Sequence, residues 1–182
     1  MATTKLMTAD ELLAMPDDGR HWELDRGVLR EMNPSRYRSS KIAGRIVAAL
    51  SAFVEARGLG DVIPPESGFR FERDPDVVLS PDGAFIRAER VPPDDAQDRF
   101  AEVAPDLVVE VNSPTDRPAD VRAKVERYLG YGVAEIWVVD PPSRSVTRFR
   151  QGREPQIVRE PDALDGREAL PGFRLDLAAL FR

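Results

Sequence analysis

The apolar positions of the chain follow helical spacing in some stretches and extended spacing in others. From Tyr37 to Arg57 they recur every three or four residues, which predicts a long helix that ends at Gly58. The sequence TADE, beginning at Thr8, matches a capping box and predicts a short helix that ends before Pro16. These two patterns predict helices early in the chain.

The segments around these helices are short and extended. The sequence HWELDRGVLREM, beginning at His21, has two apolar pieces around Asp-Arg-Gly and predicts a hairpin. From Asp61 to Ile86, prolines and glycines divide short apolar pieces, which is typical of strands in an antiparallel part of a sheet. The polar stretch from Ala88 to Glu102 is predicted to be a surface loop or a poorly packed turn of helix.

The second half of the chain has the pattern of a strand-helix-strand unit. APDLVVEVNSP, from Ala104, contains an apolar strand, a helix is predicted from about Pro118 to Tyr131, and EIWVVD, from Glu135, is the second strand. Such a crossover normally makes the two strands parallel and places the helix on one face. In the tail, the alternation from Val146 to Arg150 predicts edge strands, and Asp176 is predicted to cap a last short helix.

Length and pattern together predict a single α/β domain over residues 1–182, with a central mixed β-sheet flanked by helices. The longest apolar runs are far shorter than the roughly 18 residues of a membrane span. The N-terminal sequence lacks the basic and apolar segments of a secretory signal. We therefore expect a soluble, cytoplasmic protein without a membrane partner.

Composition restricts the metal chemistry open to this chain. There is no cysteine and only one histidine, His21, which excludes thiolate sites and multi-histidine zinc centres. Any metal must have oxygen ligands, which favours a hard ion such as magnesium, manganese or calcium. The net charge of −6 argues against a protein that coats nucleic acid through its overall field. It does not exclude a nuclease, because a carboxylate cluster with basic residues around it is compatible with that charge.

Glu110 lies within the apolar strand LVVEV. Because strand side chains alternate between faces, Glu110 shares its face with Asp106, Val108 and Asn112. A carboxylate on a covered face is costly unless it is paired, metal-bound or near the open end of the strand. On the strand alone, a structural salt bridge and a functional site are equally good interpretations.

Lys124 falls within the apolar stripe of the helix that follows, three residues after Val121 and four before Tyr128. A lysine that faces inward needs an anionic partner. Since the crossover packs this helix over the sheet, Glu110 is the expected neighbour. The pair could be structural, or it could be half of an active site.

Asp82 precedes another apolar strand and lies between Pro81 and Gly83. Taken alone, Pro-Asp-Gly is more often a turn. The glycine also allows a backbone or a ligand to approach closely. With Glu110 and Lys124, Asp82 supplies two carboxylates and one ammonium group on neighbouring core elements.

An ordered set of short sequence pieces links this chain to a known family. The pieces are WEL from Trp22, PD from Pro81, PDLVVEV followed by SP from Pro105, Lys124 with Tyr128, and GVAEIWVVDP from Gly132. Each piece is weak alone, and the ordered set is fairly specific. From about Met7 to at least Arg150, the chain resembles the Uma-two family of restriction-endonuclease-like proteins, which belongs to the PD-(D/E)XK nuclease superfamily.

The resemblance implies a restriction-endonuclease-like fold and metal-dependent hydrolysis of phosphodiester bonds in DNA. Asp82 corresponds to the metal-binding aspartate of the first half-motif, and Glu110 corresponds to the acidic residue of the second. The usual lysine of the superfamily would fall at Asn112. In this family the following helix supplies that lysine, and Lys124 is the matching position. Glu23 corresponds to a further carboxylate near the metal.

Two carboxylates and the backbone carbonyl of Val111 form a suitable ligand set for Mg²⁺ or Mn²⁺. Lys124 would orient the attacking water or stabilise the negative charge of the transition state. One departure from the family pattern lies at the start of the long helix, where members often have a histidine and this chain has Ser39 or Ser40. That departure puts a role for the position in doubt but leaves the metal core unaffected.

DNA is the expected partner, and a homodimer is expected because cutting two strands often uses two sites. Aromatic residues Trp22, Tyr128 and Trp137 are assigned to packing rather than to base stacking. Each basic candidate for contact with the DNA backbone is more often an ordinary solvated charge. The basic candidates are Arg36, Arg38, Lys41, Arg45, Arg117 and Arg122.

Two other functions remain open at this point. The same fold could serve as a non-catalytic nucleic-acid-binding or interaction protein, in which the carboxylates and Lys124 form only a buried ion network. A lysine-based carbonyl enzyme, with a Schiff base at Lys124, is a weaker possibility because nothing else in the sequence indicates a pocket for its substrate.

Overall fold

A computed structural model describes residues 6–182, and the chain divides into two structural units. The first unit comprises the described part of Met1–Pro34 together with Glu66–Ser80 and Pro92–Val103. The second unit comprises Ser35–Pro65, Pro81–Val91 and Ala104–Arg182. The single domain expected over residues 1–182 stays a prediction.

Strands in groups separate the helices along the described chain, and two short 3₁₀ turns lie at Ala88–Arg90 and Asp94–Ala96. In chain order the elements are α1 (Ala9–Leu13), β1 (His21–Asp25), β2 (Val28–Met32), α2 (Tyr37–Glu55), β3 (Gly60–Ile63), β4 (Phe69–Glu72), β5 (Val77–Leu79), β6 (Gly83–Arg87), β7 (Leu107–Val111), α3 (Pro118–Gly130), β8 (Glu135–Asp140), β9 (Ser145–Arg150), β10 (Gln156–Arg159), β11 (Ala163–Asp165), β12 (Arg174–Asp176) and α4 (Leu177–Leu180).

The first unit is built on an antiparallel sheet with the strand order β2-β1-β5-β4. The β1–β2 hairpin is the one that the sequence predicts. Thr8 and Glu11 form the expected capping box at the start of α1. The apolar face of α1 contributes Leu12 to a core that includes Leu24 and Val78.

The second unit contains a six-stranded mixed sheet with the order β10-β9-β8-β7-β6-β3. Strands β7 and β8 are parallel, with Val108 opposite Ile136, and α3 is the crossover between them. The other neighbouring strands are antiparallel. The predicted crossover and the predicted mixed sheet are therefore confirmed.

The two faces of β7 have different partners within the second unit. Leu107, Val109 and Val111 join the core that includes Ile46 and Leu50 of α2. The side chain of Glu110 therefore lies on the opposite face, where α3 reaches it. The alternation of strand side chains places one helix on each face of β7, and this arrangement isolates Glu110 from the α2 core.

The tail differs from the sequence prediction in one respect. Strand β9, expected at an edge, lies between β8 and β10, and β10 forms the edge instead. Arg148 of β9 is consequently only 1 % exposed, and its Nη2 lies 2.6 Å from Oε1 of Glu135 on β8. The alternation of arginine with apolar residues resembles an edge strand because the sequence does not show this buried ion pair.

None of the helices formed by residues 6–182 combines the length and the apolar character needed to cross a bilayer.

Candidate active site

Asp82 lies immediately before β6, and its carboxylate reaches the end of β7. Its Oδ2 accepts a hydrogen bond of 2.7 Å from the backbone N–H of Val111. Gly83 begins β6 under α2, and a Cβ at this position would lie 3.0 Å from Cγ2 of Val47. The close packing of α2 thus explains the glycine, and Pro81-Asp82-Gly83 leads into a strand that pairs with β7.

Glu110 on β7 is held by two side chains of α3. The ammonium group of Lys124 lies 2.9 Å from Oε1 and 3.1 Å from Oε2 of Glu110. The hydroxyl of Tyr128 donates a hydrogen bond of 2.7 Å to Oε1. The side chain of Glu110 is 16 % exposed and that of Lys124 is 23 % exposed, so the pair lies at the margin of the protein interior.

Helical spacing explains how Lys124 and Tyr128 meet the same carboxylate. The two residues are four positions apart on α3, which places their side chains on one face of the helix. Tyr128 and its neighbour Val125 are buried, and they anchor this face. Pro118 at the first position of α3 fixes the start of the helix.

Burial raises the pKa of the Glu110 carboxyl from 4.5 to about 7. The positive charge of Lys124 and the hydrogen bonds from Lys124 and Tyr128 oppose this rise, whereas the negative charge of Asp82 adds to it. Since Asp82 influences Glu110 in this way, the two carboxylates belong to one electrostatic site. Two carboxylates beside one ammonium group favour the binding of a further cation.

The oxygen donors fit a hard divalent ion. In an extended strand, the N–H and C=O of one residue point to the same side. The N–H of Val111 points to Asp82, so its carbonyl oxygen faces the same edge of β7, beyond the first residue of β6. Within residues 6–182, no three acidic or histidine side chains converge as a metal cluster. The oxygens that could hold a metal here are two carboxylates and one carbonyl, a set compatible with Mg²⁺ because this ion keeps several of its waters.

The first turn of α2 meets the chain just after Glu110 and Val111. Ser39 is buried, and its Oγ donates a hydrogen bond of 3.2 Å to the carbonyl oxygen of Asn112. This serine is one of the two residues at the position where family members often have a histidine. The departure from the family pattern thus lies beside the end of β7.

Glu23 belongs to the first unit and is buried on β1. Its Oε1 accepts a hydrogen bond of 2.9 Å from the backbone N–H of Ser80. The structure brings Asp82, Glu110 and Lys124 together within the second unit, and the role of Glu23 in the site stays a prediction.

The basic candidates at the start of α2 have different surroundings. Lys41 donates to the carbonyl oxygen of Arg182 at 2.8 Å, and Arg45 donates to the same oxygen at 2.7 Å and to that of Leu180 at 2.9 Å. These contacts hold α2 against the end of the described chain. Four other basic candidates are exposed. They are Arg36, Arg38, Arg117 and Arg122.

Tyr128 is the site residue that the sequence interpretation missed, because we assigned it to packing alone. Its ring is buried as expected, but its hydroxyl contacts Glu110. The sequence contains an indication of this contact, since Tyr128 follows Lys124 by four residues on a helix whose lysine was expected to face Glu110.

The fold is that of an α/β protein of the restriction-endonuclease-like class. Residues 9–178 match the family Uma2, described as "Putative restriction endonuclease". The chain therefore belongs to the Uma2 family, and this membership indicates a nuclease. The family resemblance seen in the sequence is confirmed.

A solved structure has the same fold. It is described as a "putative nuclease belonging to DUF820 from Anabaena variabilis ATCC 29413". The TM-score is 0.80 at 22% sequence identity, over 96% of this chain and 97% of that chain. No curated protein sequence matches the chain. At this identity the solved structure confirms the fold and leaves the chemistry to the residues of the site.

The raised pKa of Glu110 predicts a pH dependence of stability in the absence of metal. Between pH 4.5 and about 7 the folded protein keeps a proton that the unfolded chain releases, so the free energy of unfolding falls as the pH rises through this window. Relative to Glu110→Gln, which cannot titrate, wild type should lose on the order of 2 to 3 kcal/mol between pH 5 and pH 8. Urea denaturation in EDTA at both pH values measures this difference, and a constant difference would contradict the prediction.

Proposed function

We propose that the protein is a metal-dependent DNA endonuclease that hydrolyses phosphodiester bonds with Mg²⁺ or Mn²⁺. One observation carries this proposal. The Glu110 carboxylate, held by Lys124 and Tyr128, lies beside the strand edge where Asp82 binds the backbone of Val111. This arrangement combines anionic oxygen donors with a positive charge, which is the chemistry that phosphodiester hydrolysis requires.

The residues proposed to hold the metal are Asp82 and Glu110 through their carboxylates and Val111 through its carbonyl oxygen. A bound Mg²⁺ would supply polarisation of a phosphate oxygen and a water of lowered pKa. The hydrogen bond from the N–H of Val111 to Oδ2 of Asp82 supports this role for Asp82. The contacts of Glu110 with its two donors on α3 support the same role for Glu110.

Lys124 is proposed as the catalytic cation. Its ammonium group is compact, carries three N–H donors and contacts the same carboxylate that is proposed to hold the metal. Only three of the 26 basic residues in the chain are lysines, so lysine at this position departs from the chain's strong preference for arginine. A small point charge can approach a phosphate oxygen beside a metal more closely than a planar guanidinium group can.

The substrate is proposed to be DNA, contacted in part by the first turn of α2. Arg36 and Arg38 are exposed there, and Tyr37 between them is 84 % exposed, which is unusual for a tyrosine. Ser39 of the same turn contacts Asn112, two residues after Glu110. Exposed cations with an exposed aromatic side chain suit the phosphates and bases of a DNA strand.

Glu23 is retained in the proposal as a supporting residue. Its carboxylate binds the backbone of Ser80, which precedes Asp82 by two positions in the chain. This contact supports a role in fixing the segment that leads into Asp82.

Metal binding should depend on both proposed acidic ligands. Calorimetric titration with Mg²⁺ or Mn²⁺ should detect binding to wild type, and Asp82→Asn or Glu110→Gln should weaken it at least about tenfold. Asp61→Asn, on β3 of the same sheet, is the matched control and should bind like wild type. Absence of binding to wild type would contradict the metal-dependent function.

Cleavage should depend on Lys124 even where metal still binds. With Mg²⁺ or Mn²⁺, Lys124→Ala should lower the cleavage rate by about 10²- to 10³-fold, because it removes charge stabilisation in the transition state. Lys124→Arg should remain impaired, and Arg153→Ala, a charge loss on the β9–β10 turn, should keep the wild-type rate. Supercoiled, linear, single-stranded and branched DNA should be tested in parallel, and equal rates for wild type and Lys124→Ala would contradict the proposed role.

A homodimer is proposed because each chain carries one such site and cleavage of a duplex requires two strands to be cut. Size-exclusion chromatography with light scattering at micromolar concentration should give the mass of two chains. The mass of one chain, with or without a short DNA duplex, would count against the dimer.

One observation also favours a non-catalytic nucleic-acid-binding protein on the same fold. Lys124 and Tyr128 make three short contacts with the carboxylate of Glu110, and these contacts can satisfy its charge. A buried ion network of this kind can be purely structural. DNA binding without metal binding or cleavage would favour this second function.

A further inference from the structure

The two donors on α3 do not share the Glu110 carboxylate equally. Oε1 accepts the Tyr128 hydroxyl at 2.7 Å and lies 2.9 Å from the Lys124 ammonium group. Of these two donors, the ammonium group of Lys124 is the one that contacts Oε2, at the longer distance of 3.1 Å. The hydroxyl therefore fixes one oxygen of the carboxylate, whereas the contact of the other oxygen with Lys124 is to a flexible side chain.

We propose that Tyr128 is a positioning residue that holds Glu110 through Oε1, while a divalent ion takes Oε2 in place of Lys124. The inference rests on the proposed function and assigns different roles to Tyr128 and Lys124. With a metal bound, Tyr128 would keep its contact with Oε1, and Lys124 would turn toward the substrate.

The different exposure of the two side chains supports these different roles. Tyr128 is fully buried and its ring is fixed in the packing of α3, so its hydroxyl has little freedom to leave Oε1. Lys124 is 23 % exposed and has four rotatable bonds, so its ammonium group can swing away without moving the helix. The rigid donor suits positioning and the flexible donor suits exchange.

Simple electrostatics gives the two residues opposite effects on metal affinity. A hydroxyl that orients a ligand carboxylate strengthens metal binding, as supporting hydrogen bonds generally do. An ammonium group that occupies the same carboxylate competes with an incoming cation and repels it. Loss of the hydroxyl should therefore weaken metal binding, whereas loss of the ammonium group should strengthen it.

The test is calorimetric titration of the full chain with Mn²⁺ in the absence of DNA. Tyr128→Phe should bind about tenfold more weakly than wild type, and Lys124→Met should bind about threefold or more tightly. Tyr131→Phe, the same chemical change at the end of α3, should match wild type. Thermal unfolding of each variant in EDTA shows whether the fold is intact.

The outcomes separate this inference from the proposed function. If wild type does not bind Mn²⁺, both fail. If wild type binds and Tyr128→Phe binds equally well, the hydroxyl has only a structural role and the positioning inference is overturned. If Tyr128→Phe does not fold, Lys124→Met still tests whether a metal replaces Lys124 at Glu110. Unchanged or weaker Mn²⁺ binding by Lys124→Met would overturn the inference.

Discussion

The candidate site in the second unit is organised around the carboxylate of Glu110, which lies on the covered face of β7. A carboxylate withdrawn from water requires donors close at hand. The crossover between parallel strands β7 and β8 supplies them, because it packs α3 on the face opposite α2. Lys124 and Tyr128 then reach Glu110 from one side of a single helix. The register of β7, the crossover through α3 and the spacing of residues on α3 together determine the contact with Glu110.

A break in strand pairing provides the second half of the site. Strand β6 begins at Gly83 opposite Val109, so the last two residues of β7, Glu110 and Val111, extend past it. The N–H of Val111 would be left without a strand partner there, and the side chain of Asp82 takes that place at 2.7 Å. The carboxylate of Asp82 therefore satisfies the backbone at the end of β7 and also influences the carboxylate of Glu110. Burial is the main cause of the raised pKa of Glu110, and the negative charge of Asp82 adds to this rise and attracts a cation.

Much of this could be predicted from local patterns. Alternation along LVVEV placed Glu110 away from Val109, and helical spacing placed Lys124 inward; both hold in the structure. The hydroxyl contact of Tyr128 was missed because a buried aromatic residue satisfies the apolar pattern by its ring alone. The interior position of β9 was missed for a related reason, since Arg148 is buried only because Glu135 of the neighbouring strand pairs with it. Sequence patterns show periodicity, and they do not show which polar groups meet across elements.

The position of the lysine has a mechanical consequence. A lysine at position 112 would share the face of Glu110, about 7 Å further along the same strand, and would move only with the sheet. Asn112 occupies that position, and its carbonyl oxygen is tied to Ser39 of α2. With the lysine on α3, the cation and the carboxylate belong to different elements, and the packing of Val125 and Tyr128 fixes their separation. Changes that loosen α3 would therefore disturb the charge of the site without altering any of the proposed metal ligands on the sheet.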